Sequence, residues 1–209
     1  MQTKPTPFPT PVIAVLLIAV YALLPWMAHS SAALTVNAYD LAEWTSIHPA
    51  VRADSLLLTP LLLRLPLVCI AWYLALSGRS WLHIGLIALL AAALLPPLEF
   101  LGGASGDPNY RQQFVLALLA LVIGLFLIAF TPQRSRPTLS AVALSIGLAS
   151  GVWGLARALP LLSSFHMHVA PGAGALAFGL ISIAVIVVGL RRHAPAAQST
   201  ASLLPGTPS

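Results

Sequence analysis

Charge is scarce in this chain: Asp, Glu, Lys and Arg together make up 7% of its 209 residues. A soluble domain carries roughly a quarter of its residues as charges, so a water-facing surface over the whole chain is excluded. Acidic residues are the scarcer kind, 5 against 10 Lys and Arg, which leaves a formal net charge of +5. Cysteine is nearly absent. The lone Cys69 excludes an intrachain disulfide and a thiolate metal site, and in its apolar run it reads as a small packing residue. Also missing are a P-loop, a Gly-x-Ser-x-Gly elbow, a His-Glu-x-x-His pair and a dinucleotide fingerprint. The polar connections are too short to hold a soluble enzyme domain. No catalytic residue is therefore assigned, and a non-enzymatic role is expected.

What is abundant is apolar. Hydrophobic residues make up 58% of the chain, and the mean hydropathy is +0.91. A helix needs about 20 mostly apolar residues to cross roughly 30 Å of hydrocarbon. Six stretches qualify, at 11–27, 56–76, 81–101, 113–130, 139–161 and 172–190. None alternates with period two, so a membrane barrel is disfavoured. The expected fold is an all-α integral membrane protein, a bundle of six transmembrane helices. It forms a single domain over 1–193, with a small extracytoplasmic cap from the long loop 29–55. Residues 194–209 are mostly Pro, Ala, Ser and Thr, without charge, and are expected to be a disordered cytoplasmic tail.

Threading follows from the sign of the charges. With the N-terminus inside, Lys4, Arg79, Arg134, Arg136, Arg191 and Arg192 fall on the inner side, with no acid among them. Asp40, Glu43, Asp54, Glu99 and Asp107 all fall on the outer side or in the outer half, together with Arg52, Arg64, Arg111 and Arg157. Basic residues in short loops stay cytoplasmic during insertion. Both termini are therefore expected inside, in a cytoplasmic membrane. Arg greatly outnumbers Lys, and Ala, Leu and Pro are frequent, a usage associated with GC-rich bacteria. The basic residues are dispersed among helix ends, which suits lipid head groups and not nucleic acid. Lys4, the apolar core 12–24 and Ser31-Ala32-Ala33 have the parts of a signal peptide. The longer apolar run and the following Pro25-Trp26 favour a retained span.

Ionisable side chains inside a bilayer are costly and are default candidates for function. Arg64, Glu99 and Arg157 lie within spans, all in the outer half. A Glu99–Arg157 pair with Arg64 nearby is expected to tie three helices together. Because one carboxylate cannot neutralise two guanidinium groups, the same residues form a candidate site for an anion or a lipid head group. His166 and His168, in the last outer loop, are candidate metal ligands by residue type alone. His83 is the only histidine within a span and has no facing partner for haem, so no cofactor is expected. Trp26 and Trp44 are candidate interface anchors. Leu41 to His48 has an apolar face at helical spacing and is expected to lie flat at the outer interface, with Asn37 and Asp40 as turn and N-cap residues before it and Asp40 and Glu43 as acids suited to a first turn. Gly147, Gly151 and Gly154 make a small-residue face in the fifth span, and Gly172, Gly174 and Gly179 lie in the sixth. They suit close helix packing within the bundle or with a membrane-protein partner. The expected role is that of a non-catalytic accessory or structural subunit of a larger membrane complex. The competing expectation is a small-solute or lipid-handling transporter using the outer polar cluster.

Overall fold

The computed structural model describes residues 10–29, 34–54, 56–100, 102–164 and 168–193. The chain is mostly helical. Its helices are α1 (Thr10–Leu23), α2 (Ala38–Ser46), α3 (Pro49–Arg52), α4 (Leu58–Ser77), α5 (Trp81–Ala93), α6 (Pro108–Leu118), α7 (Gly124–Phe130), α8 (Arg136–Ser163) and α9 (Ala173–His193). A single π-turn, Leu119–Ile123, joins α6 to α7 without breaking the helical path. Four helices are long and apolar enough to cross a membrane: Leu58–Ser77, Pro108–Phe130, Arg136–Ser163 and Ala173–Arg191. The described parts of α1 and α5 are apolar but shorter.

The fifth helix shows why a hydropathy window overruns. A span was expected to continue to residue 101, but α5 stops at Ala93. Pro96 and Pro97 lack the amide protons a helix needs and push the preceding residue out of helical geometry. The chain leaves through a short 3₁₀ turn, Leu98–Phe100. The next helix begins earlier than expected, at Pro108, because the Asp107 carboxylate accepts the Asn109 amide at 2.8 Å and caps it.

α4 is the centre of the bundle. It packs against α1, α2, α5, α7 and, most extensively, α8, and most of its side chains are buried. The α4–α8 crossing uses the glycine face read from the sequence. A Cβ on Gly154 would lie 3.0 Å from the Leu63 amide nitrogen and 3.1 Å from the Leu62 carbonyl carbon. One on Gly147 would lie 2.9 Å from the Cys69 Cβ. These glycines are therefore spent on packing within the chain. Pro66 interrupts the α4 hydrogen-bond ladder, and the Tyr21 hydroxyl donates to the nearby Leu63 carbonyl at 2.7 Å. The π-turn also leaves backbone groups to satisfy; the Trp72 indole donates to the Leu119 carbonyl at 3.0 Å.

The all-α expectation fits, with one small addition. A small antiparallel sheet, in the order β2-β1-β3, sits at one end of the bundle. Its strands are β1 (Met27–His29), β2 (Thr35–Val36) and β3 (Val169–Pro171). Thr35 and Val36 of β2 are β-branched, which suits a strand. Strands this short carry little signal by themselves, and the pairing of residue 27 with residue 171 is decided by where α1 and α9 stand. With α2 and α3 the sheet forms the cap. The helix order places all five acidic residues at the cap end, and Arg79, Arg134, Arg136 and Arg191 at the other.

Gly154→Leu should destabilise the bundle by about 1–3 kcal/mol, the usual cost of overpacking. Gly85→Ala, where a Cβ would meet nothing within 4 Å, should leave stability unchanged or raise it. Thermal unfolding of the detergent-solubilised variants checks both.

Candidate functional site

Three elements converge beneath the cap on one guanidinium. Arg64 lies one and a half turns into α4 and is 1% exposed. Its Nη2 donates to Glu43 Oε1 of α2 at 2.8 Å, and its Nη1 donates to Asn109 Oδ1 at 2.8 Å and Gln112 Oε1 at 3.1 Å, both on α6. Gln113 Nε2 donates to the same Glu43 oxygen at 2.9 Å. The Gln112 amide then reaches back to the Leu56 and Leu57 carbonyls, at 2.8 and 3.2 Å. Leu57 is the non-glycine residue with positive φ, 45°, among the described residues. Such a conformation costs roughly 1–2 kcal/mol, and the Gln112 bonds help hold it.

The printed bonds stay within the chain: both Nη atoms of Arg64 and the side-chain amides of Gln112 and Gln113 donate to acceptors of the same chain. Glu43 is 37% exposed on its solvent edge while Arg64 is sealed below it. The neighbouring Tyr39 phenol, half-buried, is pushed above its ordinary pKa by burial first and by the Glu43 charge next. A second ion pair, Arg52–Asp107 at 3.2 Å, ties α3 to the cap of α6 at the rim.

The expected Glu99 pairing is not what forms. Among the described residues, the carboxylate ion pairs are Arg64–Glu43 and Arg52–Asp107. Glu99 is exposed on its 3₁₀ turn. The reason is local: the Pro96-Pro97 exit carries Glu99 off the helix, whereas α2 folds down and offers Glu43 to Arg64. Arg157 is also separate, with its Nε donating to Thr59 Oγ1 at 3.3 Å. The three residues therefore do not assemble into one anion pocket. Asn109, Gln112 and Gln113 went unremarked in the sequence, although their i, i+3, i+4 spacing places three amides on one helical face.

Trp26 is not an interface anchor. It is 1% exposed, meets the Tyr21 ring edge-on at 5.6 Å and lies 5.3 Å from Phe178. The chain reverses into β1 immediately after Pro25, which draws the indole inward against Gly151. Trp44 is half-exposed, as an interfacial residue needs. Its helix, α2, begins at Ala38, earlier than the expected Leu41, with Asn37 as its cap and Asp40 in its first turn. It does not simply rest on the surface, because Leu41 and Ala42 pack with Leu63 and Leu155. His168 is exposed, and His166 lies outside the described residues. No group of three or more His, Cys, Asp or Glu suited to a metal occurs among the described residues.

Two hollows lie beside the cap. One, of about 210 Å³, is mostly apolar, between Trp44, Ile47 and Leu161. The other, of about 540 Å³, is a more polar groove that includes Asp54, Thr59 and Arg157. No family model, curated protein or solved structure matches this chain.

Arg64→Met should be severely destabilising, by up to about 3–5 kcal/mol, because it strands the Glu43 carboxylate and two amide oxygens. Glu43→Gln should cost less, since its end of the pair touches water. Combining Arg64→Met with Glu43→Leu should recover part of the loss. Melting temperatures of the four proteins test the coupling.

Proposed function

We propose that this chain is a non-catalytic, multi-pass protein of a bacterial cytoplasmic membrane, acting as an accessory or structural subunit of a larger membrane complex. The observation that carries this reading is the closed Arg64 cluster. Arg64, the most deeply buried charge among the described residues, donates to Glu43, Asn109 and Gln112 of the same chain. Those bonds join the cap to two helices, so the cluster serves architecture. A transport site keeps polar groups available to a solute near mid-membrane; here they are engaged near the cap.

In this reading α1 and α5 complete six spans, with both termini in the cytoplasm and the cap outside. The segregation of acids to the cap end and of arginines to the other supports that orientation. The exposed apolar side chains of α9, among them Leu176, Leu180 and Ile183, offer a face to lipid or to a partner's helix. The second reading, a lipid-handling or small-solute carrier, draws on the groove around Arg157.

Two measurements test the proposal. With Cys69 replaced, a cysteine at Ser105 should react with an impermeant reagent in intact cells, and one at Ser135 should not; the reverse pattern would overturn the orientation. In mild detergent, the native protein should migrate in a discrete assembly containing other membrane chains. Migration as a lone chain, with solute flux in proteoliposomes, would overturn the subunit role in favour of a carrier.

A further inference from the structure

The groove around Arg157 joins a cation and a carboxylate whose bonding capacity is only partly used within the chain. It runs between the start of α4 and the last turns of α8, with α3 above it. Arg157 is exposed, and its Nε donates to the Thr59 hydroxyl. All five acidic residues of the chain are described, and none is within ion-pair distance of Arg157. Asp54 lines the same groove without pairing to it. Its carboxylate accepts the Leu56 amide at 3.0 Å and the Leu58 amide at 3.4 Å, which leaves about two of its four lone-pair sites free.

The depth order of these groups is informative. Thr59 is in the first turn of α4, and Asp54 precedes that helix, so Asp54 lies further from the bilayer centre than the Arg157–Thr59 pair. On the other side, Trp153 and Arg157 are four residues apart on α8 and share a face, which continues through Pro160 to Ser164. Trp153 is 59% exposed, as is Val152 beside it, one turn nearer the bilayer centre. In order outward, α8 thus presents an apolar face next to the groove, and the groove itself a cation with a hydroxyl and then a carboxylate.

We propose that this groove is a binding site for a phospholipid with a primary-ammonium head group, in the leaflet at the cap end. The phosphate meets the Arg157 guanidinium and the Thr59 hydroxyl. The ammonium meets Asp54, and an acyl chain descends over Trp153 and Val152. A cation and an anion held apart in one groove complement a zwitterion, whereas a purely anionic head group leaves Asp54 opposed to it. The inference requires that α4 and α8 cross a bilayer, but not that the chain has a protein partner. Its failure would leave the proposed subunit role standing.

The test is lipid retention by the purified, delipidated protein, measured by native mass spectrometry. Phosphatidylethanolamine, phosphatidylcholine and phosphatidylglycerol of identical acyl chains are offered in turn. The wild type should retain phosphatidylethanolamine in preference to the other two. Arg157→Gln should reduce its occupancy about tenfold, the equivalent of one charge-assisted contact. Asp54→Asn keeps an oxygen for the Leu56 amide at 3.0 Å and gives up the longer Leu58 contact at 3.4 Å, so its fold is checked by circular dichroism alongside. It should retain phospholipid but lose the preference for the ammonium head group. Quenching of tryptophan fluorescence by brominated acyl chains should fall in Trp153→Phe. Equal retention of all three lipids by the wild type, or unchanged retention by a folded Arg157→Gln variant, would overturn the proposal. So would a preference for phosphatidylglycerol.

Discussion

A guanidinium on the innermost helix of an apolar bundle has to find acceptors, since a buried unpaired charge costs several kcal/mol. Much of the architecture at the cap end answers that demand. Arg64 has no acid on α4 to meet, and the neighbouring helices are nearly free of them. The carboxylate comes from outside the bundle, on α2, and the amide oxygens come from the first turns of α6. Placing Glu43 over Arg64 requires the loop after β2 to fold back onto the helix ends, which buries Leu41 and Ala42 as it does so. The cap is thus held by an ion pair at its centre and by apolar packing around it.

The same region is stitched to the bundle by backbone. The β1 strand pairs with β2 on one side and β3 on the other, and the Gly172 and Gly174 amides donate to the Trp26 and Pro25 carbonyls. A Cβ on Gly172 would collide with the Pro25 carbonyl oxygen, so glycine is what allows α9 to begin this close to the end of α1. Trp26, enclosed by Tyr21 and Phe178, is the apolar counterpart of the Arg64 cluster. One fastens the cap through charge, the other through ring packing.

The helices, their apolar character and the segregation of charge were legible because each is set by local composition. Membrane-length apolar runs mark themselves, and the proline pair at 96–97 marks a helix end once its missing amide protons are weighed. The glycine face of α8 was legible too, although its partner was not. That it meets α4 at Leu62 and Leu63 is a matter of which helices come to lie side by side. The Glu99 pairing failed for a related reason. Depth along a span is readable from residue number, but Glu99 lies beyond the helix end, where residue number no longer measures depth. The amides of Asn109, Gln112 and Gln113 were overlooked because a polar helix start resembles an ordinary loop boundary.

By itself the sequence determined that the chain is made of long apolar helices, four of them long and apolar enough to cross a membrane, and which ends of its helices carry which charges. Those properties follow from hydropathy and from the cost of burying charge, and they need no knowledge of neighbours. Only the tertiary structure decided that Arg64 is answered by Glu43, that Trp26 is core, and that Arg157 stands apart in a groove with Asp54. Each of these depends on contacts between residues from 21 to 152 positions apart, brought together by helix packing and by a sheet whose strands are too short to announce themselves.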